Sequence, residues 1–121
     1  MDKYAKSLIY GIRCNTTGEL YIGSSTEELK TRLSKHITDL RGYMGYKNNK
    51  PRNYRSSFEV LFNDNYDMFE IETYPCKNKR ELEIRESLHI LNNKCINKRL
   101  AVKVNPEDYD LSSLPSCGSL I

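Results

Sequence analysis

Two short apolar runs, residues 8–14 and 20–22, flank the turn-forming set Asn15, Thr16, Thr17 and Gly18. Runs of that length with a glycine-containing turn between them read as a β-hairpin. Gly18 suits the last turn position, because glycine takes a positive φ at no steric cost. Side chains alternate along a strand, so Leu8, Tyr10, Ile12 and Cys14 share one face of the first strand. In the second strand Tyr21 and Gly23 share one face, and Leu20 and Ile22 the other. Each strand thereby places one tyrosine at a fixed point. Taken alone, the two tyrosines are ordinary half-buried strand formers.

Ser25-Thr26-Glu27-Glu28 has the form of a capping box and predicts a helix start. Leu29, Leu33, Ile37 and Leu40 then recur at helical spacing and form the expected buried stripe. Arg32 and His36 are four apart, stack on one face and border that stripe. They either look towards the hairpin or form a rim pair with solvated tips. After Leu40 the period is lost, and Gly, Asn and Pro make residues 41–55 read as a long loop. This stretch holds five basic residues, three tyrosines and no acid. Such mixing suits phosphate contacts and base stacking, and Lys47, Lys50, Arg52 and Arg55 are its candidates for holding nucleic acid. A solvated flexible loop is the other reading.

Ser56-Ser57-Phe58-Glu59 is a second capping box, opening a short helix through Phe62 with Phe58, Leu61 and Phe62 inward. Residues 68–74 read as a third strand, with Phe69, Ile71 and Thr73 on one face and Glu70 and Glu72 on the other. That split fits a small sheet with one side covered. Asn78 and Glu81 open the last long helix. Leu82, Glu86, His89 and Ile90 share one stripe, and Ile84, Leu88 and Leu91 lie roughly opposite. Glu86 is the anomaly, a carboxylate in a core-facing line. Burying it alone is costly or keeps it protonated. A metal ion or a cationic partner resolves the conflict, and a rim salt bridge to Arg32 is the plainer solution. His89 reads as a group that packs or caps the site, not as a metal ligand. Residues 95–98 read as a short docked segment with Asn97 hydrogen-bonding back. The expected fold is α+β, a small three-stranded antiparallel sheet flanked by helices in the order β-β-α-α-β-α. Residues 1–105 form the expected domain and 106–121 a loosely ordered tail.

The pattern Tyr-x(10)-Tyr-Ile-Gly, followed by Arg-x(3)-His on the next helix, resembles the GIY-YIG nuclease superfamily. The first motif stands as Leu8-Ile9-Tyr10 and the second as Tyr21-Ile22-Gly23. The family's later glutamate helix matches Arg85-Glu86-Ser87-Leu88-His89-Ile90, and its following asparagine matches Asn97. The resemblance spans residues 6–98 and implies a metal-dependent DNA endonuclease. It implies Glu86 as the metal ligand, Arg32 on the phosphate charge, Tyr10 as general base with His36 as its hydrogen-bond partner, and Asn97 in support. Tyr21 would position the water or the phosphate, although the family does not divide the tyrosine roles in one way. One carboxylate completed by waters suits Mg2+, or Mn2+ in its place, and no His/Cys cluster points to zinc. Leu8 stands where the family name has Gly, a structural position. Thr31 stands where some relatives carry a basic side chain. The stand-alone size resembles relatives in large DNA viruses and phages, with repair and mobile-element roles both open. The competing readings are a nucleic-acid-binding module with an idle site and a small interaction protein with an incidental tyrosine hairpin.

Composition fits these expectations. A chain of 121 residues is one domain with a modest core. The net charge of +3 is uneven: residues 1–55 hold 11 Lys or Arg against 5 Asp or Glu, and residues 56–121 hold 8 against 11. A basic half suits a polyanionic partner. No apolar run is long enough to span a bilayer, the N-terminal residues do not form a secretory signal, and no small-molecule cofactor is indicated. Cys14, Cys76, Cys95 and Cys117 show no paired spacing, so they read as free thiols in a reducing, intracellular compartment.

Overall fold

Strands β1, Leu8–Cys14, and β2, Leu20–Ser25, form the hairpin, and Gly18 in its turn has φ +79°. The coordinates, a computed structural model, describe residues 2–45 and 54–115. Helix α1 spans Leu29–Gly45, α2 Phe58–Leu61, β3 Tyr66–Thr73 and α3 Lys79–Leu91. The three strands make one antiparallel sheet in the order β2-β1-β3, so the element order is β-β-α-α-β-α and the fold is α+β.

Both faces of the sheet are covered, not one. Leu8, Tyr10, Ile12 and Cys14 pack with Val60 and Leu61 of α2 and with Leu29, Leu33 and Leu40 of α1. Ile9, Leu20, Ile22 and Ile71 pack with Leu82 and Ile90 of α3. This is why central β1 reads as an almost unbroken apolar run, as strands buried on both faces do.

The face split expected for the third strand fails at a bulge. Ile9 pairs with Glu72 but Tyr10 pairs with Glu70, so Ile71 is an extra residue and the alternation shifts by one. Glu72 therefore joins Ile9 and Phe69 on the α3 face, where its carboxylate meets Arg85 at 2.6 Å and His89 Nε2 at 2.8 Å. Burial opposes ionisation of Glu72, but Arg85 and His89 outweigh it and hold the carboxyl below its usual range. His89 is fully buried here and packs with its Nε2 bonded to Glu72, away from the tyrosine side of the sheet.

Other boundaries also move. Ser25 ends β2 and bonds within the turn, to Glu27 N and O, so it does not cap α1. Helix α1 continues five residues past Leu40, because Tyr43 packs on Tyr54 and Phe58 with ring centroids 5.4 and 5.2 Å apart. Phe62 and Leu91, both expected inside, are 45% and 41% exposed. The free edge of β2 is closed by the segment after α3. Ile96 N donates to Leu20 O at 2.8 Å, and the Asn97 side chain accepts from Ile22 N and donates to Ile22 O. Asn97 thus replaces a missing strand neighbour. Further on, Val102 N donates to Ser87 Oγ on α3, and 3-10 turns occur at Pro106–Asp108 and Leu111–Ser113. No helix among the described residues is long and apolar enough to cross a membrane, and Cys14, Cys76 and Cys95 are free.

Candidate active site

Tyr10 and Tyr21 lie on the same face of adjacent strands, with ring centroids 6.4 Å apart. The residue paired with Tyr10 across the strands is Gly23. A Cβ at Gly23 would lie 2.5 Å from the Tyr10 hydroxyl oxygen and 2.6 Å from its Cζ. The phenol therefore occupies the space that glycine leaves. Gly23→Ala is expected to destabilise the fold by about 1–3 kcal/mol and to displace the Tyr10 ring. Urea unfolding measures the first effect and near-UV circular dichroism of the tyrosines the second. An alanine variant matching the parent in both would show that the ring is not held there.

The hydroxyl of Tyr10 lies 2.6 Å from His36 Nε2, and His36 Nδ1 lies 3.0 Å from Ser57 Oγ. All three residues are buried. His36 is the one buried residue of α1. It does not border the leucine stripe but sits within it, since 29, 33, 36 and 40 follow the 4-3-4 spacing of a single helix face. Burial, reinforced by the charges of Arg32 and Arg55, lowers the His36 pKa to about 4, so the imidazole is neutral near pH 7. Burial and the neighbouring Tyr21 raise Tyr10 well above the ordinary phenol value, so its proton is retained. The arrangement that suits both is a Tyr10 O–H donating to Nε2 and an Nδ1–H donating to Ser57 Oγ.

Arg32, one turn before His36, acts electrostatically on Tyr10, Tyr21, His36 and Glu86. It has no ion-pair partner among the described residues, so the alternative of a rim bridge to Glu86 is not made. Glu86 accepts instead from the Ser24 hydroxyl. Burial raises the Glu86 pKa, Ser24 and Arg32 lower it, and Glu83 adds to the rise. The helix bearing Glu86 covers the opposite face of the sheet from α1. The carboxylate reaches the tyrosine side past edge strand β2, at Gly23 and Ser24. Two cavities meet there, of about 730 and 370 Å³, and Tyr21, Arg32 and Glu86 line both.

The structure thus brings Tyr10, Tyr21, Arg32, His36 and Glu86, drawn from β1, β2, α1 and α3, around one centre. Asn97 and Arg55 line the larger cavity. Lys47, Lys50 and Arg52 lie outside the described residues. Ser57 and Ser24 escaped sequence reasoning, because a serine in a capping-box or strand position carries no chemical signature. Lys98 and Arg99 also line the larger cavity, and their adjacency to Asn97 was the available signal.

A divalent cation fits this donor set. Glu86 is a partly buried carboxylate without an ion-pair partner among the described residues, and burial raises its pKa. A hard cation that keeps most of its waters needs one or two carboxylates. No group of three or more His, Cys, Asp or Glu is gathered among the described residues.

A family model described as the GIY-YIG catalytic domain matches residues 6–98. No curated protein and no solved structure matches the chain.

Proposed function

The chain belongs to the GIY-YIG family, a family of nucleases acting on nucleic acid, and from that premise we propose that it is an endonuclease hydrolysing DNA phosphodiester bonds. The observation that carries this reading is the 2.6 Å bond between Tyr10 and a neutral His36, formed next to a guanidinium and a carboxylate that lack each other as partners. Phosphodiester hydrolysis needs a water deprotonated, a phosphate charge neutralised and a leaving oxygen stabilised.

Each need has a side chain. Tyr10 takes a proton from the attacking water as its own passes to His36 Nε2. The phenolate never has to accumulate, which its raised pKa would forbid. The imidazolium formed keeps both N–H groups bonded, to Tyr10 and to Ser57. Arg32 forms paired hydrogen bonds to the phosphate oxygens. Tyr21, at the junction of the two cavities, orients the water or the phosphate. Ser24 fixes one carboxylate oxygen of Glu86, leaving the other to hold Mg2+ or Mn2+. When bound, that ion polarises the phosphate and stabilises the leaving oxygen.

The test is a gel assay with supercoiled plasmid. Nicked or linear product is expected with Mg2+ and none with EDTA. Plasmid bound but never cut, over a panel of linear, flapped and branched duplexes, would favour an idle binding module. Cutting in EDTA would contradict the metal assignment.

A further inference from the structure

The two cavities that meet at Tyr21, Arg32 and Glu86 differ in charge. The smaller carries Lys3 and Lys79 beside Glu83 and beside Glu27, which is itself paired with Lys35 at 2.7 Å. The larger carries Arg55, Lys98 and Arg99, and beyond the shared residues only Asp39 opposes them. Lys98 and Arg99 are exposed and form no ion pair among the described residues. Arg55 meets Asp39 at 3.4 Å, with the two side chains 60% and 39% exposed. So open a pair contributes little and yields readily to a phosphate.

These cations are held in place. Asn97 is tied to Ile22 of β2 by two side-chain hydrogen bonds, at 3.0 and 2.7 Å, so the backbone entering Lys98 and Arg99 is fixed relative to the site. The Lys98 ammonium lies 5.8 Å from the centre of the Tyr54 ring. That ring packs against Phe58 beside Arg55. The segment that closes the edge of β2 therefore also builds one wall of the trough.

We infer that Arg55, Lys98 and Arg99 form a one-sided phosphate clamp, which holds nucleic-acid backbone on one side of the scissile bond. The smaller cavity, whose two lysines share their walls with carboxylates, adds less binding on the other side. The inference rests on the nuclease reading for the position of the scissile bond, but the charge asymmetry itself is testable without cleavage.

The experiment uses the full chain in EDTA and a fluorescein-labelled duplex, with binding followed by anisotropy between about 50 and 200 mM salt. Each phosphate contact contributes about 0.9 to the slope of log K against log salt. The Lys98→Ser/Arg99→Ser variant is expected to flatten that slope by about 2. Lys3→Ser/Lys79→Ser is expected to leave it unchanged. All four side chains are exposed, so both variants should melt with the parent, which a thermal scan checks. An unchanged slope in the first variant, or equal flattening in the second, overturns the clamp. Trimming the duplex from one side of the mapped cut should weaken binding at least about tenfold, and trimming from the other should not. Symmetric dependence overturns it as well. A protein that cuts plasmid with an unchanged slope refutes the clamp alone. One that shows the expected slopes and never cuts refutes the nuclease reading alone.

Discussion

Glu86→Gln is expected to slow plasmid cutting by at least about a thousandfold while leaving the protein no easier to unfold. Glutamine keeps the shape of the side chain and the acceptor for the Ser24 hydroxyl. It removes the negative charge that the proposed cation requires. It also removes a liability, because burial holds the Glu86 pKa above the ordinary carboxylate range. In the corresponding pH window the folded state keeps a proton that the unfolded chain has lost. Stability is therefore greatest below the ordinary carboxylate pKa and declines as pH rises through the folded value. The glutamine variant has no such proton and should lack this part of the decline. Time courses on gels measure the first effect, and thermal melts across the acidic range the second. Arg32→Ala should share the loss of cutting without the gain in stability, because it strips Glu86 of a favourable charge. Retained cutting in Glu86→Gln, together with a lower melting temperature at neutral pH, would mean that this carboxylate is a structural anchor.

Local signals explain why the element order and the main helices are legible in the sequence, whereas the β2-β1-β3 order of the sheet is not. The hairpin lay in two apolar runs and a glycine, the first helix in a leucine period, and the last helix in Asn78 and Glu81. The errors fall where one residue changes the phase or where a partner is distant in sequence. The extra Ile71 moves Glu72 from the solvent face to a partly buried pairing with Arg85 and His89, and alternation carries no mark of a bulge. The end of α1 depends on Tyr54 and Phe58, which follow Tyr43 by 11 and 15 residues. The site shows the same division. Groups with distinctive chemistry, such as Glu86 in an apolar stripe, stand out by conflict with their surroundings. Ser57 has no conflict to show, and its value comes only from where His36 places Nδ1. A stripe that includes Ile37 leaves His36 at its border; in the structure His36 is the buried one of the two.

Tyr10→Phe should separate the roles of the two phenols. Phenylalanine fills the space above Gly23 as the tyrosine ring does, so packing survives. His36 Nε2, buried with the rest of the imidazole, then loses its partner, at an expected cost of about 1–3 kcal/mol in urea unfolding. Without the hydroxyl no proton can pass from water to the imidazole, and single-turnover cleavage should fall by about 10²–10⁴-fold. Tyr21→Phe should behave otherwise. The Tyr21 hydroxyl has no such bond to His36, although the rings meet edge-on with centroids 5.6 Å apart. Its removal leaves no buried group unpaired, so stability should match the parent. Its loss of rate should stay below the lower end of the Tyr10 range, because a positioning contact can be replaced by water. If Tyr21→Phe were the slower enzyme and Tyr10→Phe merely the less stable one, the hydrogen bond to His36 would be a device for holding β1 against α1. The proton path would then have to start at Tyr21.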